Sequence, residues 1–273
     1  MWRRRPVSPD RSPTPRLAPT LRRARTIARE DYRGARLGVL RRIVDPSRGE
    51  GLELGAFDFP TVAPGAGSCT FADVRSSQEL AALFGVPSES VAPVEWVVDR
   101  VRPLSEQIPR RFDYVILCHV LEHVPEPIRF LDDVGALLRP GGVAFLAVPD
   151  KRMTLDAPRP STTIDHLLAR HYHGAAGPPI TQIMEFARTW DENWRRLATE
   201  SPREFFAWAQ GQFESGTADV HCNVWRDEEL FEQLDYLVHG GFLPGFEVCL
   251  REPNRPPFNE FYVALRRTPS DAS

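Results

Sequence analysis

Five short apolar runs, Gly51–Leu54, Cys69–Ala72, Val94–Val98, Phe112–Cys118 and Gly142–Val148, recur between residues 50 and 150, with helical patterns at Ser77–Phe84 and Pro127–Leu138 among them. Strands separated by helices and loops predict a parallel sheet covered on both faces. Two further β-rich runs, Phe246–Leu250 and Glu260–Arg266, flank the turn-rich Glu252–Asn259 and follow an amphipathic helix, Asp227–His239, that Gly240-Gly241 closes. Their hairpin order fits an antiparallel edge. The expected fold is therefore α/β: a doubly wound, mostly parallel sheet of seven strands with an antiparallel C-terminal hairpin.

Two segments lie outside that alternation. Residues 21–44 carry Leu21, Ile27, Tyr32, Leu37, Leu40, Ile43 and Val44 between arginines, a helical pattern ended by Pro46 and Gly49. Residues 151–220 show helical patterns near Ile164–His171, Pro179–Arg196 and Pro202–Phe213, separated by Pro and Gly, and read as a helical insertion. The domain division expected is a tail at 1–20, leading helices and the first half of the domain at 21–150, the insertion at 151–220, and the last helix and strands of the same domain at 221–273.

Charge is unevenly spread. Residues 1–36 hold 11 arginines against three acids, whereas the chain as a whole carries a net charge of −3. The Pro- and Arg-rich segment 1–20 is too poor in apolar residues to offset its ordering entropy, which predicts disorder unless a partner orders it. An acidic body and few aromatics in the tail argue against nucleic acid and leave a protein partner or a homo-oligomer open. Cys69, Cys118, Cys222 and Cys249 share no C-x-x-C spacing, so reduced thiols are expected. With no run of about 18 apolar residues and no apolar region behind the first arginines, a cytoplasmic protein is the expectation, with no membrane span.

Gly51-Leu52-Glu53-Leu54-Gly55-Ala56 is an apolar strand ending in an acid and a glycine, followed by Phe57-Asp58-Phe59-Pro60. Later strand ends carry Asp73, and Asp99 beside Arg100. The most specific stretch is Phe112-Asp113-Tyr114-Val115, running through Cys118 into His119-Val120-Leu121-Glu122-His123-Val124, then Leu138-Arg139-Pro140-Gly141-Gly142. These motifs closely resemble the FD-x-V…HVLEHV and LRPGG signatures of class I S-adenosylmethionine-dependent methyltransferases of the small-molecule type. The resemblance covers residues 50–150 strongly and the final two strands weakly.

That resemblance implies S-adenosylmethionine or S-adenosylhomocysteine as the bound cofactor. It implies a cofactor site made by Glu53, Gly55, Ala56, Phe57, Asp73, Asp99, Arg100, Cys118 and His119, with Asp73 on the ribose hydroxyls and Asp99 near the adenine amino group. Phe57 stands where the family usually has its second glycine. A neutral-range histidine suits removal of a proton from a hydroxyl or ammonium acceptor, and His119 and His221 are the candidate bases. His119 reads equally as pocket wall. Arg152, His166, Asp219, Trp225 and Glu260 are candidate substrate contacts; strand-like alternation would turn Asp219, His221 and Asn223 to one side.

His119-x-x-Glu122-His123 also scans as an inverted zinc-protease motif, but Pro125 denies it the long helix that motif needs. Some relatives of the fold hold magnesium with E-x-x-E-H; here the first acid is replaced by His119, and no metal is expected. The leading expectation is a methyltransferase acting on a small-molecule acceptor, secondary metabolites included, by in-line transfer. Two others compete. One is an enzyme of the same fold that performs another substitution or cyclisation, such as aziridine formation, with the cofactor as spectator. The other is a non-catalytic subunit recruited through the arginine-rich tail.

Overall fold

The computed structural model describes residues 19–269 apart from Ala176 and Thr217, with side chains described from residue 30 onward. Most of the segment 1–20 lies outside the described residues; Pro19 opens the first helix, α1 (Pro19–Leu40).

Seven strands form one sheet: β1 (Glu50–Leu54), β2 (Ser68–Asp73), β3 (Val94–Val97), β4 (Phe112–Cys118), β5 (Leu138–Pro149), β6 (Phe246–Glu252) and β7 (Glu260–Arg267). Their order is β3-β2-β1-β4-β5-β7-β6. Strands β1 to β5 pair in parallel, whereas β7 runs antiparallel to both β5 and β6. This is the Rossmann-like methyltransferase arrangement.

The central strands are apolar throughout because both faces are covered. In β4, Phe112 and Tyr114 to Leu117 are fully buried. Leu52, Leu54, Val115 and Leu117 join one core with Leu131 and Val134 of α4 (Pro127–Ala136) and with Leu230 and Leu234 of α9 (Asp227–His239). Tyr114, Ile116 and Cys118 face the opposite core with Leu40 of α1 and Ala264. Period-two alternation along β4 thus divides its side chains between two helical layers.

Strand β5 begins earlier than the apolar run predicts, because Leu138 already pairs with Phe112. The two glycines after it are needed there. Gly141 has φ +81°, and a Cβ on Gly142 would lie 2.9 to 3.1 Å from the carbonyl oxygens of Arg139, Asp113 and Phe112, which are backbone and cannot give way.

The insertion contains α5 (Ile164–His173), α6 (Ile180–Trp190), α7 (Glu192–Glu200) and α8 (Pro202–Ser215). The run read as one helix over Pro179–Arg196 breaks at Asp191, whose carboxylate accepts the Asn193 amide and starts α7. Ile183, Ala209, Ala218, Val220 and Cys222 give the insertion its own small core. Among the described residues no helix is long and apolar enough to cross a membrane.

Candidate functional site

In this strand order the connections leave β1 and β4 in opposite directions, and an open α/β sheet carries its ligand crevice outside the carboxyl ends of such a pair. Gly55 follows β1 there with φ +69°, its amide donating to the Ala72 carbonyl at 3.0 Å. A Cβ would stand 3.2 Å from Val120 Cγ2, so backbone conformation and close approach both favour glycine. Phe57 has φ +46° and His119, directly after β4, φ +54°. Non-glycine residues in this region are strained, and such strain concentrates at functional sites. Phe57 therefore keeps the conformation that glycine would adopt at low cost; its ring packs on Phe84 with centroids 4.5 Å apart.

The acids at the strand ends divide by what they touch. Glu53 is fully buried and accepts the Thr61 amide at 2.9 Å with both oxygens, and that of Val62 with one, so it shapes the loop after β1. Burial raises its carboxyl to about 7, against the lowering effect of the Thr61 bonds and Arg36. A carboxyl held above its unfolded value of 4.5 stabilises the fold fully below that value and loses the contribution as pH rises through about 7. The expected result is that Glu53→Gln flattens the decline in melting temperature between these two pH values relative to the unmodified protein.

Asp99 is exposed and turns one oxygen onto the amides of Val101 and Arg102, capping the loop after β3. Asp73, at the tip of β2, is half-buried and accepts the Arg75 amide; burial raises its carboxyl. Beside it in register lies Val97, apolar yet 56 % exposed. Cys118 is buried against Thr61, its Sγ 3.3 Å from Oγ1, and burial pushes its thiol up to about 12.

His119 is the best-defined polar group at this edge. Its side chain is 34 % exposed and its Nε2 lies 2.8 Å from Oε2 of Glu260. Glu260 is buried and saturated: Arg36 donates to both oxygens at 2.9 and 2.6 Å, and the Tyr262 hydroxyl donates at 2.9 Å. Burial alone would raise the Glu260 carboxyl, but Arg36 and His119 override it and hold it at about 2. With Glu260 an acceptor, Nε2 carries the proton of His119; Nδ1 lies 3.4 Å from Oε1 of buried Glu122.

A second polar group adjoins it. Glu122 and His123 lie in a short 3-10 turn, Leu121–His123. Asp219 sits 3.2 Å from His123 Nδ1 and 3.7 Å from Arg100, and His221 Nδ1 lies 2.5 Å from Asp156, which also pairs with buried Arg159 at 2.7 Å.

Asp219–Asn223 forms no strand, so strand-like alternation does not set its side chains. Asp219 and His221 reach this group, whereas Asn223 is buried and donates to the Leu121 and Val124 carbonyls. The other candidate contacts are held by structure. Trp225 is fully buried with Nε1 donating to Gln233, Arg152 forks between Asp150 and Asp227, and His166 caps α5 through the Thr163 amide. Ala56 is half-buried beside Gly55.

Fold and cleft edge together define an α/β enzyme that binds a nucleotide cofactor. A family model described as "Methyltransferase domain" matches residues 41–235, well over half of the chain. The chain belongs to the methyltransferase domain family.

Curated relatives match locally. The ubiquinone biosynthesis O-methyltransferase of Xanthomonas campestris pv. campestris (strain B100) is 39% identical over 59 residues, which is 22% of this chain and 25% of that protein. That of Proteus mirabilis (strain HI4320) is 34% identical over 59 residues, 22% and 24% of the two chains. The matched stretch thus spans about a quarter of these relatives. Among solved structures, magnesium protoporphyrin IX methyltransferase from Synechocystis PCC 6803 with bound SAH is 10% identical, covering 94% of this chain and 90% of that one at TM-score 0.45. An S-adenosylmethionine-dependent methyltransferase from Mesorhizobium loti is 16% identical over 84% and 96% at TM-score 0.45.

Two features at this edge are compatible with a nucleoside cofactor: Gly55 is exposed at the end of β1, and Asp73 places a half-buried carboxylate at the tip of β2.

Proposed function

We propose that this enzyme methylates a small-molecule acceptor at a hydroxyl or amine, with His119 as the general base and Glu260 as the group that orients it. The observation that carries the reading is the pairing of His119 Nε2 with a buried, arginine-held carboxylate at the mouth of the cleft. When bound, S-adenosylmethionine supplies an activated methyl carbon for in-line displacement.

The chain's own residues then have three tasks. Gly55, Phe57 and Asp73 hold the cofactor at the tips of β1 and β2, with Glu53 and Asp99 ordering the loops around it. His119 takes the acceptor's proton on Nδ1. Its Nε2–H stays on Glu260, so the resulting imidazolium is stabilised where it forms, as in other carboxylate-oriented histidine bases. The insertion at 151–220 covers the acceptor and excludes water, its exit tied to the loop after β3 by the Arg100–Asp219 pair.

The ubiquinone-pathway relatives, which are O-methyltransferases by name, favour an oxygen acceptor. The test is incubation of the purified chain and methyl-labelled S-adenosylmethionine with a panel of phenols, catechols and small amines, alongside a protein and an RNA. Labelled small-molecule product with equimolar S-adenosylhomocysteine is expected. Label confined to macromolecules, or absent from every acceptor, would overturn the reading.

A further inference from the structure

We propose that Glu122, His123 and His221 bind a divalent transition-metal ion, zinc in preference to magnesium. One ligand atom from each lies within 4.8 Å of the other two, and a small closure brings such a triad around one ion.

The second observation is Glu122 itself. It is 1 % exposed, and among the described residues neither carboxylate oxygen has a hydrogen-bond partner. A buried carboxylate in that state is costly unless a positive charge answers it. The nearest group able to carry one, His119, holds Nδ1 3.4 Å from Oε1 without making a hydrogen bond, and its other nitrogen is committed to Glu260. His123 Nδ1 faces the Asp219 carboxylate at 3.2 Å, which adds a second anion beside the same opening. A cation next to Glu122 answers its charge.

The surroundings are built as metal surroundings are. Metal-binding histidines commonly give their other ring nitrogen to a carboxylate, which fixes the tautomer and leaves a lone pair for the ion. His221 does this: Nδ1 lies 2.5 Å from Asp156, and buried Arg159 anchors Asp156 in turn. The two ligand-bearing segments are also stitched together. The Asn223 amide donates to the Glu122 carbonyl at 3.0 Å, its side chain to Leu121 and Val124 at 3.2 and 2.7 Å, and Cys222 Sγ lies 3.4 Å from the His123 carbonyl. His221 is therefore held against the turn carrying the other two donors before any ion arrives.

Two imidazoles and one carboxylate suit zinc and its neighbours, whereas magnesium demands oxygen ligands and an octahedral shell. His221 enters from the far end of the insertion, so an ion here also pins that segment to the loop after β4. An ion here would neighbour the proposed base, because Glu122 Oε1 lies 3.4 Å from His119 Nδ1, but the metal-binding readouts below do not depend on methyl transfer.

The test uses the full chain stripped with chelator and dialysed. Titration with Zn2+, read by mass-spectrometric metal content and by competition with a chromogenic chelator, should give one equivalent per chain and a raised melting temperature. Mg2+ should bind at least 100-fold more weakly. Co2+ should show the visible spectrum of a nitrogen and oxygen site without the thiolate band that Cys222 would add. Glu122→Gln and His221→Gln should each lose zinc affinity at least 100-fold while their circular dichroism is unchanged, and Asp156→Asn should lose about 10- to 100-fold. Absence of stoichiometric zinc, equal affinity for Mg2+, a thiolate band, or zinc bound undiminished by the Glu122→Gln and His221→Gln proteins would each overturn the site.

Discussion

Replacing Glu260 with alanine is expected to destabilise the fold by about 3–5 kcal/mol, the usual cost of stripping one partner from a buried ion pair. Arg36, which is 5 % exposed, loses the acceptor of two hydrogen bonds, and Tyr262 and His119 lose theirs with it. A denaturant midpoint shifted down at unchanged slope is the readout. The double variant Glu260→Ala with Arg36→Met should recover much of the loss, because the unpaired charge goes with the arginine, yet it should not recover methyl transfer, because His119 remains unoriented. Recovery of both would show that Glu260 serves the fold alone.

The same pair sets a sign for acid denaturation. Glu260 is held at about 2, well below its unfolded value of 4.5, so its contribution is complete above the unfolded value and is lost as pH falls toward 2. The double variant lacks that part of the acid transition.

His119→Asn is expected to lower kcat about 10²- to 10⁴-fold, the range for removing a positioned general base. Asparagine is the informative substitution because it tolerates the left-handed backbone that His119 adopts at φ +54°, where alanine adds strain. Cofactor affinity measured by calorimetry should change little, since the loops around Gly55 and Asp73 are untouched. A variant with full activity across the pH range would remove His119 from the chemistry and leave it as pocket wall.

Much of this architecture was legible in the chain. Short apolar runs separated by helical patterns forecast the parallel strands, because a strand buried on both faces must be apolar at nearly every position, as β4 is. The glycines after Arg139 were legible as a motif, although their reason is tertiary: three backbone carbonyls crowd the place where a Cβ would stand. The acids at the ends of β1, β2 and β3 were legible as a series; that Glu53 is fully buried on the Thr61 amide while Asp73 is half-buried and Asp99 exposed was not. A carboxylate's partner amides lie in loops whose path the local pattern leaves open.

What the sequence alone determined is the succession of elements and the chemistry gathered at the strand ends, since both follow from local periodicity and residue type. Tertiary structure decided which distant groups meet. His119 and Glu260 are 141 residues apart and Arg36 is 224 from its partner. They converge because β7 runs antiparallel to β5, pairing Glu260 with Pro149 and so setting the start of the last strand at the carboxyl edge of the parallel ones. Arg36 was one arginine among many in a basic segment, and nothing local distinguished it. Register between strands is fixed by the packing of the whole sheet, and a single chain segment carries no record of it.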